Sequence, residues 1–385
     1  MNILVLVFKN VMRHRLRSVL TICGIAVAVL AFGLLRTVIT AWYLGVEAAA
    51  PDRLVTRSKI SITFTLPVAQ KQRIERIPGV QAVTHCSWFG GVYKDPKNFF
   101  AQIALESAET FKLFPEYIVE PEALAAFAAE RNAAIVGTTL AQRFGWKVGD
   151  TIRLQGTIYP GDWDFVIRGI YTGRDTGTDT GQFFFNWQSI EQRMAQETPG
   201  RVGQIGWWVV KIDEPARAAT ICKAIDAEFD NSADETLSET EAAFAQSFVA
   251  MAGTIVRSLE IMSVLLIGVI LLVAGNTMAM TVRERTAEYA VLKTLGFGAG
   301  RILGLVAGES LAIAGLGGAV GLALLFPTVK GVATVLRAWF PAFPVDPPTF
   351  ALALGAALLV GLLAAVFPVW RAVAMPIAVG LRRID

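Results

Sequence analysis

Charge, histidine and the common catalytic signatures are all scarce in this chain. Of its 385 residues 17% are charged, against about 25% in a soluble domain. Histidine occurs twice, as His14 and His85, which excludes a His-rich metal site. No Gly-x4-Gly-Lys-Ser/Thr loop is present to cradle phosphates, because the one Lys followed by Ser or Thr is Lys293-Thr294, preceded by Leu292. No Gly-x-Ser-x-Gly elbow occurs either. His85 and Cys86 adjoin, but neighbours on a strand face opposite ways, so a structural role outweighs a thiol nucleophile. No catalytic, cofactor-binding or metal-binding residue is therefore assigned, and the chain reads as a non-enzyme. A net charge of +3 gives no argument for nucleic acid.

Hydrophobic residues, by contrast, make up 54% of the chain, with a mean hydropathy of +0.50. A water-facing globule could not bury that much apolar surface, and disorder is excluded by the same balance. The excess lies in four runs: 19–35, continuing past Arg36 to 44; 261–282; 302–326, interrupted only by Glu309; and 350–370. Each is long enough to cross a hydrocarbon core of about 30 Å as a helix. Basic residues flank one side: Lys9, Arg13, Arg15 and Arg17, then Arg283, Arg285, Lys293 and Arg301, then Arg371, Arg382 and Arg383. The positive-inside rule puts both termini and the loop after the second span in the cytoplasm. The expected organisation is an N-terminal amphipathic surface helix at 1–18, spans at 19–44, 258–282, 301–326 and 350–370, and an extracytoplasmic domain at 45–257. A cytoplasmic loop helix follows at 283–300, an outer loop at 327–349 and a cytoplasmic tail at 371–385. The first span reads as an uncleaved anchor, since its apolar run exceeds a signal core.

The extracytoplasmic segment reads as α+β. A strand at 61–66, a helix at 68–77 and a strand at 80–88 open it. A matching strand at 206–212 and helix at 214–229 come late. Together they predict a lobe from 58–93 and 201–230, with a second lobe, 94–200, inserted into it. Residues 239–257 are expected to form a helix leading into the second span. Cys86 and Cys222 lie outside the membrane, where an oxidising compartment permits a bridge between them; free, partly buried thiols are the expectation.

In the cytoplasmic loop, charges gather first, an apolar set follows (Tyr289, Leu292, Leu295), and Gly296 supplies a stop. The run Arg283-Glu284-Arg285-Thr286-Ala287-Glu288-Tyr289-Ala290-Val291-Leu292-Lys293-Thr294-Leu295-Gly296 resembles the cytoplasmic loop of FtsX-like, MacB-type permeases of ABC systems. Asn10, Arg13, Arg15 and Arg17 running into Cys23-Gly24 are similar to that family's first span. Gly308-Glu309-Ser310-Leu311 with Gly315, Gly317, Gly318 and Gly321 resembles its third, and Pro368-Val369-Trp370-Arg371 with Pro376, Leu381 and Arg382 its ending. The stretch from Ile135-Val136-Gly137 to Gly149-Asp150 is similar to the MacB-like periplasmic core.

The resemblance implies a division of labour. A separate ABC ATPase subunit would bind ATP and Mg, docking beneath a permease homodimer in a 2+2 complex. The docking contact would fall on Arg283, Glu284, Glu288, Leu292, Leu295 and Gly296, with Arg13 and Arg17. Packing or gating in the third span would involve Gly304, Gly308, Glu309, Gly317 and Gly321; their Gly-x3-Gly spacing suits close helix approach, within one chain or across a dimer. Glu309 is an intramembrane charge of structural or gating role, whereas Arg36 reads as snorkelling to the outer surface. The implied location is a bacterial inner membrane, among lipid, with a periplasmic adaptor as a further partner. The leading function is export or extrusion driven by the partner's ATP hydrolysis. An FtsX-like transmitter that activates a cell-wall hydrolase without transport is the alternative, and an importer or lipoprotein releaser shares the scaffold.

Overall fold

A computed structural model describes residues 13, 15–175, 177–251, 253–336, 343, 345 and 347–374. Most of the expected surface helix at 1–18, the tail beyond 374, and Pro376, Leu381 and Arg382 lie outside the described residues.

Among the described residues the first element is helix α1 (Arg15–Glu47). The domain after it comprises, in order, β1 (Arg53–Ser58), β2 (Leu66–Pro67), α2 (Lys71–Glu75), β3 (Val80–Trp88), β4 (Gly91–Val92), β5 (Ala101–Leu105) and β6 (Tyr117–Ile118). Then come α3 (Pro121–Ala129), β7 (Ala133–Gly137), α4 (Thr138–Phe144), β8 (Thr151–Gly156), β9 (Gly161–Gly173), β10 (Gln182–Asn186) and α5 (Gln188–Glu197). It closes with β11 (Gln204–Ile205), β12 (Trp207–Ile212), α6 (Ala218–Glu228), β13 (Thr236–Thr240) and α7 (Glu241–Met251). The remaining helices are α8 (Gly253–Glu284), α9 (Thr286–Thr294), α10 (Ala299–Leu336) and α11 (Pro347–Ala374).

The chain divides into two units, a helical one and the domain spanning 42–251. In the helical unit α1, α8, α10 and α11 are long and apolar enough to cross a membrane. They share a core in which Ile25 and Val29 meet Ile270, Ala274, Ile313, Leu325, Ala357 and Val360. α10 runs on through Pro327 to Leu336, so residues 327–336, expected as outer loop, extend the helix instead. A proline is tolerated in an apolar helix where neighbours compensate for the missing N–H.

In the domain, one sheet runs in the order β13-β1-β12-β3-β5-β10-β7-β9-β8-β4, with β6 paired to β9. Pairing is antiparallel except at β5/β10 and β7/β9. Residues 94–200, expected as a lobe of their own, therefore share a sheet with the flanking segments: β5 continues directly from β3 through Cys86↔Leu105 and Trp88↔Ile103. Hydrophobic clusters flank the sheet, one built on Phe89, Trp163, Phe165, Phe183 and Phe185 and another on Leu54, Trp208, Ile221 and Phe229. The first strand corrects the sequence expectation. At 61–66 the alternation fails to seat on a core, Phe64 being exposed, and β1 lies earlier. Sandwiched between β12 and β13, it is buried on nearly every residue and so shows no period of two.

Candidate functional site

The loop helix is fixed at both ends by its own sequence. At its start Thr286 donates its hydroxyl to the Arg283 carbonyl at 2.8 Å. At its end Gly296 adopts φ +84°, a conformation that a side chain would strain. Its N–H donates to the Lys293 carbonyl at 3.1 Å, and the N–H of Phe297 to the Leu292 carbonyl at 3.0 Å. These two bonds form a Schellman stop.

One face of α9 packs inward. Tyr289 is buried with Val282, Ile302 and Val306, and Leu292 and Val369 lean on them. Lys293 reaches the Val373 carbonyl of α11 at 2.9 Å. Glu288 lies exposed on α9, Arg283 and Glu284 are exposed at the end of α8 just before it, and Leu295 beyond the last turn of α9 is 70% exposed. Two of the acidic residues are already engaged within the chain. Arg13 donates to Glu288 at 2.6 Å, and Arg17 binds Glu284 with both terminal nitrogens at 2.6 and 2.7 Å. Exposed pairs of this kind are worth at most about 1 kcal/mol, so they orient the start of α1 more than they stabilise it.

Under this helix lies a pair the sequence reading missed. Arg285, the residue just before α9, donates to Glu309 of α10 at 2.9 Å, the side chains being 4% and 8% exposed. Arg285 also lies 3.9 Å from Glu288. Tyr289 hydrogen-bonds Arg285, and burial, reinforced by the Glu309 charge, pushes its phenol up to about 12. Glu309 thus finds its counter-charge in the residue just before α9. The clue lay in the charge run Arg283-Glu284-Arg285, but a partner 24 residues away left no periodic signal.

The remaining third-span positions separate. An added Cβ at Gly317 would come 2.7 Å from the Cβ of Ile25, and one at Gly321 would come 2.6 Å from the Ala26 carbonyl oxygen. This Gly-x3-Gly segment is the seam with α1 of the same chain. Gly308 is half-buried, and a Cβ at Gly304 would meet nothing within 4 Å. Arg36 is half-buried, its Nε without a hydrogen-bond partner among the described residues.

In the extracytoplasmic domain an unforeseen cluster centres on Arg53, which is 2% exposed. Its guanidinium binds Glu241 through Nε at 2.9 Å and Nη2 at 3.0 Å. It binds Glu116 at 2.6 and 3.0 Å and the Leu113 carbonyl at 2.8 Å, and stacks over Phe114 at 4.5 Å. Glu241 also accepts the Ala50 N–H at 2.7 Å. Burial pushes the Glu241 carboxyl upward, against the pull of Arg53. One cation therefore joins the stretch that follows α1, the 113–116 turn and the first residue of α7.

His85 and Cys86 occupy opposite environments. Cys86 packs in the cluster of Phe111 and Val209, and burial raises its thiol far above the ordinary range. Cys222 is likewise a free, buried thiol. His85 sits edge-on to Trp187 and Trp208 at 4.6 and 5.7 Å, its Nδ1 without a hydrogen-bond partner. Burial lowers its pKa to about 4, with Glu106 opposing and Lys71 assisting. The folded state thus refuses a proton that the unfolded chain accepts below about 6.5. Stability is then full above pH 6.5 and declines as the pH falls toward 4, by on the order of 3 kcal/mol. Calorimetric melting of wild type and His85→Gln across that range checks this; the decline should flatten in the variant. No cluster of potential metal ligands occurs among the described residues.

Residues 18–228 match the family model of the MacB-like periplasmic core domain, and residues 260–377 match that of the FtsX-like permease C-terminal region. An uncharacterized ABC transporter permease of Methanocaldococcus jannaschii is 27% identical over 352 residues, covering 84% of this chain and 82% of the relative. The periplasmic region of MacB from Actinobacillus actinomycetemcomitans aligns at 9% identity and TM-score 0.38, covering 53% of this chain and 95% of that one. The extracellular domain of the noncanonic ABC-type transporter YknZ from Gram-positive bacteria aligns at 10% identity and TM-score 0.36, covering 49% of this chain and 100% of that one.

Proposed function

Because this chain belongs to the FtsX-like ABC transporter permeases that carry a MacB-like periplasmic core domain, we propose that it is the force-relaying subunit of an exporter. Its α9 helix receives motion from a separate ATPase. ATP and Mg are bound and spent on that partner chain, and two permease chains stand over two ATPase chains. The observation that carries this reading is the division of α9. One face is anchored to α8, α10 and α11 through Tyr289, Leu292 and Lys293, while Leu295, just past its last turn, is 70% exposed. A large apolar side chain exposed at the end of a Gly-terminated helix suits a hydrophobic socket on a partner. A push on α9 would pass through Arg285–Glu309 into α10 as a rigid displacement.

The test uses Leu295→Arg. Because Leu295 is exposed, the variant should fold and melt as wild type does. When the chain is reconstituted with its ATPase, stimulation of ATP hydrolysis should fall at least tenfold, the loss expected from about 1.4 kcal/mol or more at an interface anchor. Undiminished stimulation would remove α9 from the contact. Export itself is tested by the same complex in vesicles, where cargo movement should require both chains and ATP.

A further inference from the structure

Between the basic-side ends of α1 and α8 lies an open groove of about 670 Å³, lined by Arg15, Leu16, Arg17, Leu20, Thr21, Val273 and Thr277. The extracytoplasmic domain joins the opposite ends of these two helices, so the groove opens at the cytoplasmic leaflet. We propose that it holds an anionic phospholipid, its phosphate on Arg15 and the first part of an acyl chain along Leu16, Leu20 and Val273.

Three observations converge on this occupant. The first is charge. Among the described residues, the carboxylates near this face are used within the chain: Glu288 by Arg13, Glu284 by Arg17 and Glu309 by Arg285. Arg15 has no ion-pair partner among the described residues and stands at the mouth of the groove. The second is depth. Arg15 to Thr21 and Thr277 to Glu284 each span about 9–10 Å along a helix at 1.5 Å per residue, which is the distance from headgroup level into the hydrocarbon. The lining changes accordingly: Leu16 is 76% and Leu20 63% exposed, placing two large apolar side chains below the cation. The third is the state of the hydroxyls. Thr21 and Thr277 donate to their own helices at 2.9 Å, to the Arg17 and Val273 carbonyls, and leave the inner wall effectively apolar. A basic mouth over an apolar wall between two spans on the cytoplasmic side recognises an anionic headgroup with its chain attached. A second copy packed across the groove about a two-fold axis would instead set one Arg15 against another, which like-charge repulsion disfavours.

Native mass spectrometry of the full-length chain in detergent, titrated with phosphatidylglycerol or with phosphatidylcholine of identical chains, tests the proposal. Wild type should retain the anionic lipid preferentially. Arg15→Gln should weaken that retention about fivefold, the effect of one cation near an anionic surface. Arg371→Gln, at the same membrane face on α11 but outside the groove, should leave it unchanged. Melting of each variant confirms that it is folded. Equal losses in both variants would overturn the site in favour of diffuse surface charge. Displacement of the lipid by inorganic phosphate would overturn the role of the chain, and a tighter dimer in Arg15→Gln than in wild type would identify the occupant as a second copy.

Discussion

Replacing Arg53 by Leu should cost the extracytoplasmic domain about 3–5 kcal/mol, the penalty for stranding a charge after its buried partner is removed. For a domain of roughly 200 residues that lowers the unfolding midpoint by roughly 10 °C, measurable by calorimetry on the full-length chain. The reason is geometric. Glu241 receives two bonds from Arg53, and its remaining donor is the Ala50 N–H; without the guanidinium this half-buried carboxylate keeps a single partner. Glu116 and Glu241 are about a quarter and a fifth exposed, so water relieves part of the penalty at both and the loss should fall toward the lower end of that range. Two corollaries separate this mechanism from lost packing. The deficit should shrink as the pH falls and Glu241 takes up a proton, because a neutral carboxyl is cheap to bury. Arg53→Leu combined with Glu241→Leu should recover much of the loss. A deficit independent of pH and unrelieved in the double variant would locate the effect in the Phe114 stack instead.

The second large effect concerns Arg285 and Glu309. Either residue changed singly to an apolar one should destabilise the helical unit by about 3–5 kcal/mol, again by leaving a buried charge alone. Arg285→Met with Glu309→Leu removes both charges while roughly keeping volume, and such replacements are often neutral. The double variant should therefore melt near wild type. If the pair transmits motion from α9 to α10, it should nevertheless lose stimulation of the partner ATPase, which distinguishes a coupling role from a structural one. The double-mutant cycle gives the interaction energy directly. A stable double variant with full stimulation would reduce the pair to a fold element.

Much of this was legible in the amino-acid sequence, and the parts that were not share a cause. Long apolar runs announce themselves, because lipid requires about 20 consecutive residues and a helical backbone. β3 was readable at Val80–Trp88 because the Pro78-Gly79 turn precedes it. β1 was missed because a strand buried on both faces has no alternation to detect. Arg53 was missed for a related reason: its partners, Glu116 and Glu241, lie 63 and 188 residues away, and an isolated arginine carries no pattern. Motif spacing named Gly317 and Gly321 without saying what they face; only the packing against Ile25 and Ala26 assigns them to the seam with α1. At α9 the helix and its glycine stop were legible from local chemistry, charges first and Gly296 last, while the burial of Arg285 depended on a contact with another helix.

The register of β1 on β13 has a mechanical consequence. Leu54 pairs with Thr240, so the ends of these strands nearest α1 and α7 meet at one end of an antiparallel ladder. Were the two adjoining helices to part, the ladder would be loaded as a zipper, one rung at a time, the weakest way to pull on a sheet. Arg53, bound to Glu241 and beside the first rung, is the rivet at the point where such a tear would start.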